Sequence, residues 1–491
     1  MNQHTNKVAI IGGGITGLSI AFYLQQHAPH LDVTLIESSS CFGGKIASTH
    51  EQGFVIEGGP DSFLAQKKSA LELCHTLGLD DQLIGSNTAK HPTYVWCNSK
   101  LHPMPEGMML MAPTMVLPFL RSSLISWPGK IRMGLELFIP RSAPRQDESL
   151  AGFVRRRLGS ELLDKIAAPL MAGIYAADPE TLSLHSTFPM FPQMEQKYGG
   201  LLRSMIRQKF TRKSPAAPPA QPAKPRSTFI TLRGGLQQLV DALFAQLKPA
   251  SLLLDHRVTS VTPEGQQHRV TLADKRTLLV DHVVLATPAY VSASLLQTTD
   301  STLAAHLRNI RYVSTATVSL AFKRADIHHP LDGLGFVVPF SENRGITACT
   351  WTSQKFPGRA PSDSVLIRVF IGGARAEHLA EQDEATLIEL AQHELRVTMG
   401  IDAQPILARA YRWHKSTPQY NVGHRERVAE IDRILQRHPG LHLAGAAYHG
   451  AGIPDCIQSG VNVAQSILEN LRNQHTASNT SLNAPQPVCV L

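Results

Sequence analysis

Lys7-Val8-Ala9-Ile10-Ile11-Gly12-Gly13-Gly14-Ile15-Thr16-Gly17-Leu18 stands near the start of the chain and decides how the rest is read. Lys7 to Ile11 is a short apolar run that reads as a buried strand. Leu18, Ile20, Ala21 and Leu24 then recur at helical spacing, and Val33-Thr34-Leu35-Ile36 is a second apolar run that ends in Glu37. In this strand–turn–helix–strand context a G-x-G-x-x-G pattern has a physical meaning. Gly12 allows a tight turn, Gly14 lets backbone approach a pyrophosphate, and Gly17 lets helix and strand pack closely. The helix N-terminus faces the phosphates with unpaired N–H groups and a partial positive charge. Glu37 is placed to accept hydrogen bonds from a ribose. A glycine-rich turn without a ligand is the alternative, and it leaves the second strand and its terminal acid without a purpose.

Directly after Glu37 the chain reads Ser38-Ser39-Ser40-Cys41-Phe42-Gly43-Gly44-Lys45-Ile46. A second glycine pair followed by a cation suits a pyrophosphate touched from two sides. A plain nicotinamide-dinucleotide domain does not need it. These residues resemble the second motif of the flavin amine oxidase-like superfamily, a glycine pair followed by Arg or Lys just after the ribose-binding acid. The resemblance implies that the dinucleotide is FAD. The alternative is a βα loop with a solvated lysine.

Length and composition bound the rest. At 491 residues the chain is too long for one core and suggests two or three domains. Hydrophobic content of 43% against 18% charged marks a globular rather than a disordered protein. The net charge of +8 favours an acidic partner: nucleic acid, an anionic membrane surface or an acidic small molecule. No long basic run carries interleaved aromatics, so nucleic acid ranks last. The six cysteines are scattered without a C-x-x-C pair, which suits a reducing, cytoplasmic setting and argues against disulfides or a structural zinc. The 22 histidines show no metal-ligand spacing. With the first strand at Lys7, no signal or transit peptide is expected ahead of it.

Along the chain the character changes several times. Phe54-Val55-Ile56-Glu57-Gly58-Gly59-Pro60-Asp61-Ser62-Phe63 brings backbone close to something flat or bulky, or is an ordinary loop after a strand. Lys67 and Lys68 head an amphipathic helix, as substrate anchors or as solvated charges. Residues 90 to 210 are rich in methionine, leucine and proline. Gly107 to Leu120 is uncharged, but it is too short for a bilayer span of about 20 residues and contains Pro113 and Pro118. Apolar helical patches beside Arg121, Lys130 and Arg132 suit either a helical domain packing its own faces or a contact lying on a membrane surface. Pro169 to Pro179 is expected to break a helix, with Gly173 offering carbonyls to a ligand N–H. Order is expected to return at Thr228 after a Pro-, Ala- and Lys-rich stretch. Asp281 to Pro288 reads as another buried strand of the dinucleotide domain, and residues 300 to 410 as alternating strands with a helix near Glu384 to Val397.

The expected fold is therefore α/β, an FAD-binding Rossmann-like domain with a mixed α+β substrate domain and a helical insertion domain. Residues 1–90, 227–295 and 410–473 are assigned to the FAD-binding domain and 296–409 to the substrate-binding domain. Residues 91–210 are the helical insertion with a membrane-surface contact as one reading, 211–226 a flexible insertion, and 474–491 a disordered tail.

Several stretches together resemble one family: Gly12 to Gly17, Gly59-Pro60-Asp61-Ser62-Phe63-Leu64, Gly173-Ile174-Tyr175-Ala176, Ile346 to Trp351, Arg412-Trp413-His414 with Pro418-Gln419-Tyr420, and Gly452-Ile453-Pro454-Asp455-Cys456-Ile457. The chain is similar to the flavin-dependent porphyrinogen oxidases of haem synthesis, and closer to the soluble bacterial type than to the mitochondrial or plastid type. The resemblance covers roughly residues 7 to 472. It implies oxidation of coproporphyrinogen III or protoporphyrinogen IX to the porphyrin with molecular oxygen. Six hydrogens must leave two electrons at a time, so three rounds, each yielding peroxide, are implied. By match of position the FAD contacts are Gly12, Gly13, Gly14, Ile15, Thr16, Gly17, Glu37, Ser38, Lys45, Gly59, Pro60, Asp61, Ser62, Val258, Trp413, Gly452, Ile453 and Pro454. Lys67 is assigned to a propionate, the Gly173 carbonyl to pyrrole N–H groups, and Trp351 to the wall of an apolar slot, although an aromatic in a strand is more often plain core. No catalytic acid or base and no metal is assigned. Flavin positioning suffices for hydride loss from an electron-rich macrocycle.

One departure stands out. The mitochondrial and plastid enzymes have an arginine near the position of Leu64 that pairs with a propionate. Leucine cannot do this, which favours a different pose or a tetracarboxylate substrate. Rival readings are an amine or carotenoid oxidase on the same scaffold, or a lipid carrier without flavin. The first would usually show a cysteine for a covalent flavin link near Gly445-Ala446-Ala447-Tyr448, and none is there. The second sits badly with intact Gly12, Gly14, Gly17 and Glu37. A monomer or homodimer is expected, with haem-pathway enzymes as candidate partners, at most peripheral membrane contact and no nucleic acid.

Overall fold

The computed structural model describes residues 6–87, 92–109, 112–113, 115–143, 147–211 and 227–482. They fall into two compact units. The first is formed by Met1–Gly44, Leu239–Asn309 and Glu430–Leu491, the second by Lys45–Gln238 and Ile310–Ala429. The flexible insertion expected at 211–226 lies outside the described residues from 212 onward.

The first unit is built on a five-stranded parallel sheet in the order Leu252–Leu253, Asp32–Ile36, Lys7–Ile11, His282–Leu285, Leu441–Leu443. Lys7–Ile11 pairs with Asp32–Ile36 on one side and His282–Leu285 on the other. Val8 to Ile11 and all of His282–Leu285 are buried, as a central strand covered on both faces requires. The helix Ile15–His27 packs against the long helix Ile453–Leu482, with Gly460 of the second tight against Thr16 of the first. A smaller antiparallel sheet, Val258–Glu264, Gln267–Leu272 and Thr277–Val280, accompanies it. The tail expected to be disordered from residue 474 is helical as far as Leu482. After Gly460 the sequence meets no glycine or proline before Pro485, so nothing stops the helix earlier.

The second unit is organised on a seven-stranded sheet in the order Leu407–Pro418, Tyr312–Lys323, Ser364–Gly372, Ala348–Thr350, Gly335–Val337, Thr93–Cys97, Lys100–Pro103. Every pairing is antiparallel except that of Gly335–Val337 with Thr93–Cys97. The hairpin Thr93–Pro103 thus belongs to this sheet, although residues 91–210 read as helical from composition. Tyr94, Val95 and Trp96 are strand-forming side chains, and the turn at Asn98 and Ser99 takes two positive φ angles. Val318, Leu320, Ile367, Val369 and the helix residues Leu387 and Ala391 share one core. Residues one position away point to the opposite face.

Residues 115–143 and 147–211 of this unit are mostly helical around their own core, which includes Phe153, Leu162, Ile166, Met171 and Phe191. The helix Leu150–Arg157 carries Arg157 to a fully buried ion pair with Glu136. Gly159, at φ +98, ends that helix, and a π-helical turn over Leu163–Ala167 leads into the helix Ala168–Tyr175. The helix break expected from Pro169 onward is therefore earlier and later than read. Pro169 follows directly on the π-helical turn within one continuous helical run, and the stop falls at Ala176 in a left-handed conformation.

Candidate functional site

In the first unit Gly12, Gly14 and Gly17 shape the turn between the first strand and the first helix. Gly12 has φ +110, and a Cβ there would stand 2.7 Å from the Ala286 carbonyl oxygen. A Cβ on Gly17 would overlap the carbonyl oxygen of Gly12, so the helix starts directly on the strand end. Gly14 differs: it caps the helix Ile15–His27 in an extended conformation, and only the Gly44 Cα lies near its missing side chain, at 4.0 Å. That opening lies at the first turn of the helix, where backbone N–H groups have no intrahelical acceptor and an anion is favoured. Gly43 donates its N–H to the Gly13 carbonyl at 2.9 Å and bridges Gly14, so the second glycine pair lies on the first.

Glu37 closes the turn. Its Oε2 accepts from the Gly13 N–H at 2.7 Å, and its Oε1 from the Ser39 N–H at 2.8 Å, the Ser39 hydroxyl at 2.7 Å and the Ser38 hydroxyl at 3.2 Å. The carboxylate is thereby fixed in direction before any ribose arrives. The chain from Leu253 to Val258 passes it: Glu37 N–H donates to the Leu253 carbonyl and His256 N–H to the Glu37 carbonyl. Val258 itself is buried at the start of its strand. Gly452, Ile453 and Pro454 open the helix Ile453–Leu482, whose first turn carries Asp455. The crossing of Thr16 and Gly460 lies within two turns of both helix starts, and so gathers the two N-termini.

In the second unit Lys45, Gly59, Pro60, Asp61, Ser62 and Trp413 come together. The Gly58 carbonyl accepts from the Trp413 indole N–H at 2.8 Å, the Thr317 hydroxyl at 2.9 Å and the Arg368 guanidinium at 3.0 Å. Arg368 also donates to the Gly59 carbonyl at 2.5 Å. A Cβ on Gly58 would meet the Tyr411 ring at 2.5 Å, and one on Gly59 would overlap the Lys45 carbonyl. The Lys45 ammonium donates to the Ser416 carbonyl. Asp61 bonds Ser62 at 2.6 Å and pairs with Lys355 at 2.8 Å. Burial would raise the Asp61 carboxyl, but the charges of Lys355 and Arg368 outweigh it and hold the group at about 2. Glu57 is pushed up, because burial prevails over Arg359, Ser48 and the Leu236 N–H.

Thr317, Lys355, Arg359 and Arg368 did not stand out in the sequence. Arg368 had a signal: it is one cation inside Val365-Leu366-Ile367-Arg368-Val369-Phe370-Ile371, an otherwise apolar strand.

The residues assigned to substrate lie apart in character. Lys67 is exposed at the N-cap of the helix Lys68–Thr76. Gly173 is exposed in the last turn of the helix Ala168–Tyr175, where carbonyls lack i+4 donors. The neighbouring carbonyls are engaged: Ala172 by the Ala176 N–H, Tyr175 by Gln419 and Ala176 by the Ala374 N–H. Trp351 requires a correction. It has no exposed surface and packs in the helix-covered core with its ring 5.0 Å from His329 and 5.9 Å from Tyr94. It is a core residue and cannot wall an open slot. Leu64 is 37% exposed, so the position is accessible but carries no charge.

The family model for flavin-containing amine oxidoreductases matches residues 15–468. The chain is 38% identical over 465 residues to the coproporphyrinogen III oxidase of Bacillus subtilis, covering 94% of this chain and 97% of that one. It is 32% identical over 479 residues to the protoporphyrinogen oxidase of Homo sapiens, covering 94% and 98%. A solved structure from Exiguobacterium sp. 255-15, assigned as a protoporphyrinogen oxidase, superposes with a TM-score of 0.84 at 31% identity over 95% of this chain and 99% of that one. Cyclohexylamine oxidase from Brevibacterium oxydans shares the fold, with a TM-score of 0.68 at 16% identity, covering 95% and 100%. The glycine cradle, the fixed acid and the open Gly14 fit the cofactor of that family, which is FAD. The chain belongs to the flavin-containing amine oxidoreductases and, among them, to the porphyrinogen oxidases.

Proposed function

We propose that the protein oxidises coproporphyrinogen III to coproporphyrin III in haem biosynthesis, using FAD and molecular oxygen. The observation that carries this reading is identity of 34–38% with three coproporphyrinogen III oxidases, against 25–32% with the protoporphyrinogen oxidases compared. Leu64 favours the same choice, since the substrate with four propionates has other carboxylates to anchor. Protoporphyrinogen IX is the second reading.

FAD supplies the two-electron acceptor for hydrogen leaving the macrocycle. Gly12 to Gly17, Gly452, Ile453 and Pro454 hold its pyrophosphate by backbone N–H groups, Glu37 and Ser38 its ribose, and Val258 borders the nucleotide end. Lys45, Gly59, Pro60, Asp61, Ser62 and Trp413 form the wall beside the isoalloxazine. Lys67 takes a propionate, and the Gly173 carbonyl accepts from pyrrole N–H groups. No side chain is assigned as general base; pyrrole protons pass to water.

The setting we propose is cytoplasmic, since the five described cysteines are free thiols. It is peripheral to a membrane. Among the described residues no helix is long and apolar enough to cross one. Val116, Leu117, Trp127, Ile131 and Phe138 are 56–77% exposed beside Arg121 and Arg132, the composition of a surface-lying contact. The deciding experiment supplies both porphyrinogens to the flavin-loaded protein and follows porphyrin fluorescence. Faster formation of coproporphyrin supports the reading. Formation of neither porphyrin above autoxidation refutes it.

A further inference from the structure

The strand Ser364–Gly372 places its even-numbered side chains on one face with Thr317 and Tyr411. Arg368 stands in that row and is 2% exposed. A buried guanidinium is costly unless its donors find acceptors and its charge a counter-charge. Arg368 has its counter-charge in the nearby carboxylates of Asp61 and Glu57, and its Nη2 donates to the carbonyls of both Gly58 and Gly59, while its buried Nε finds no acceptor among the described residues. Its guanidinium also lies 5.0 Å over the Phe370 ring.

The carbonyl it holds is unusually constrained. Three donors converge on the Gly58 oxygen, which has two lone pairs. That peptide plane is fixed from the sheet side. In a trans peptide the C=O and the N–H point in opposite directions, and the described backbone has no cis bond. The Gly58 carbonyl turned toward the sheet therefore turns the Gly59 N–H away from it. A cation on the carbonyl oxygen also polarises the amide and makes the far N–H a stronger donor.

We infer that Arg368 is a positioning residue for the flavin: through the Gly58 carbonyl it aims and strengthens the Gly59 N–H, and so raises the cofactor's reduction potential. This rests on the proposed reading that Gly59 to Ser62 faces the isoalloxazine. A stronger donor there favours the redox state carrying more negative charge. Asp61, which offsets the Arg368 charge, acts in the opposite sense.

The test is a dye-equilibration titration of the flavin in holoenzyme carrying Arg368→Met, Arg368→Lys or Asp61→Asn. Arg368→Met is expected to lower the potential by at least a tenfold change in the two-electron equilibrium, about 30 mV. Arg368→Lys is expected to restore most of it, and Asp61→Asn to shift it upward. Opposite signs at the two positions are not produced by loosened packing. If Arg368→Met does not accumulate as folded holoenzyme, Thr317→Val removes a neutral donor from the same carbonyl and is expected to give a smaller downward shift. Unchanged potentials in the Asp61 variant and in whichever of the other two is measured overturn the inference. Amide hydrogen exchange with and without FAD separates the two levels. Protection of residues 58–62 together with unchanged potentials rejects the role of Arg368 alone, whereas no protection rejects the loop reading and the inference with it.

Discussion

The helix residue Gly17 and the strand-end residue Gly12 touch so closely that no side chain fits between them. Overpacking of this kind, against backbone rather than a flexible side chain, costs about 3 kcal/mol or more. Gly17→Ala is expected to lower the thermal midpoint by several degrees and to reduce soluble yield. Differential scanning calorimetry checks it.

Gly14 separates binding from folding. Its φ of −74° suits any residue, and a Cβ there has room within the protein. Gly14→Val is therefore expected to fold with a near-native far-UV spectrum and to purify with little flavin. The absorbance ratio of flavin to protein measures this, and retained yellow colour at native stoichiometry would contradict the phosphate-cradle assignment.

Asp61 and Lys355 form a mostly buried pair. Removing one partner leaves a charge with less compensation, so Lys355→Met is expected to cost about 3 kcal/mol in urea unfolding at neutral pH. The sign with pH follows from the depressed carboxyl. Its contribution is full above 3.8 and is lost as pH falls through 3.8 toward about 2. The stability gap between wild type and Lys355→Met is expected to narrow in that window.

His442 and His282 meet with their ring nitrogens 3.3 Å apart. Burial pushes His442 down to about 3, helped by the neighbouring His282 and His268, and burial also lowers His282. Both are neutral in the fold. Because their folded values lie below the ordinary 6.5, their stability is present above 6.5 and is lost as pH falls below it. Each can contribute up to about 1.4 kcal/mol per pH unit in that range. His442→Gln is expected to flatten the acid limb of the stability curve, measured by urea midpoints at several pH values.

The exposed apolar strip gives a binding prediction. Phe138 and Ile131 are 77% and 62% exposed. Phe138→Asp with Ile131→Asp is expected to weaken co-sedimentation with anionic vesicles about tenfold or more, since each change removes apolar area and adds like charge to the membrane's. Porphyrinogen turnover in detergent-free solution is expected to stay unchanged.

How much the sequence disclosed depended on distance along the chain. Gly12, Gly14, Gly17 and Glu37 were legible because one short spacing ties turn, helix and acid together. Gly43, which donates to the Gly13 carbonyl, follows the same local logic, whereas Leu253, the acceptor of the Glu37 N–H, lies far along the chain. The neighbour of the first strand at His282 was readable as an apolar run, but its register was not. A single cation in an apolar strand does not name its partner, and only the fold shows Arg368 among three donors meeting on the Gly58 carbonyl. Trp351 was open to two readings, slot wall or core, because a large aromatic suits both, and only the fold shows it fully buried. The hairpin Thr93–Pro103 was absorbed into a helical block because its pairing partner, Gly335–Val337, lies far away in sequence.

Oxygen consumed per porphyrin formed tests the proposed chemistry most directly. Flavin-loaded protein supplied with coproporphyrinogen III in an oxygen electrode cell, with coproporphyrin read by fluorescence in the same cell, is expected to consume three oxygen molecules for each porphyrin. Porphyrin formation no faster than in protein-free buffer, or oxygen uptake without porphyrin, would contradict it.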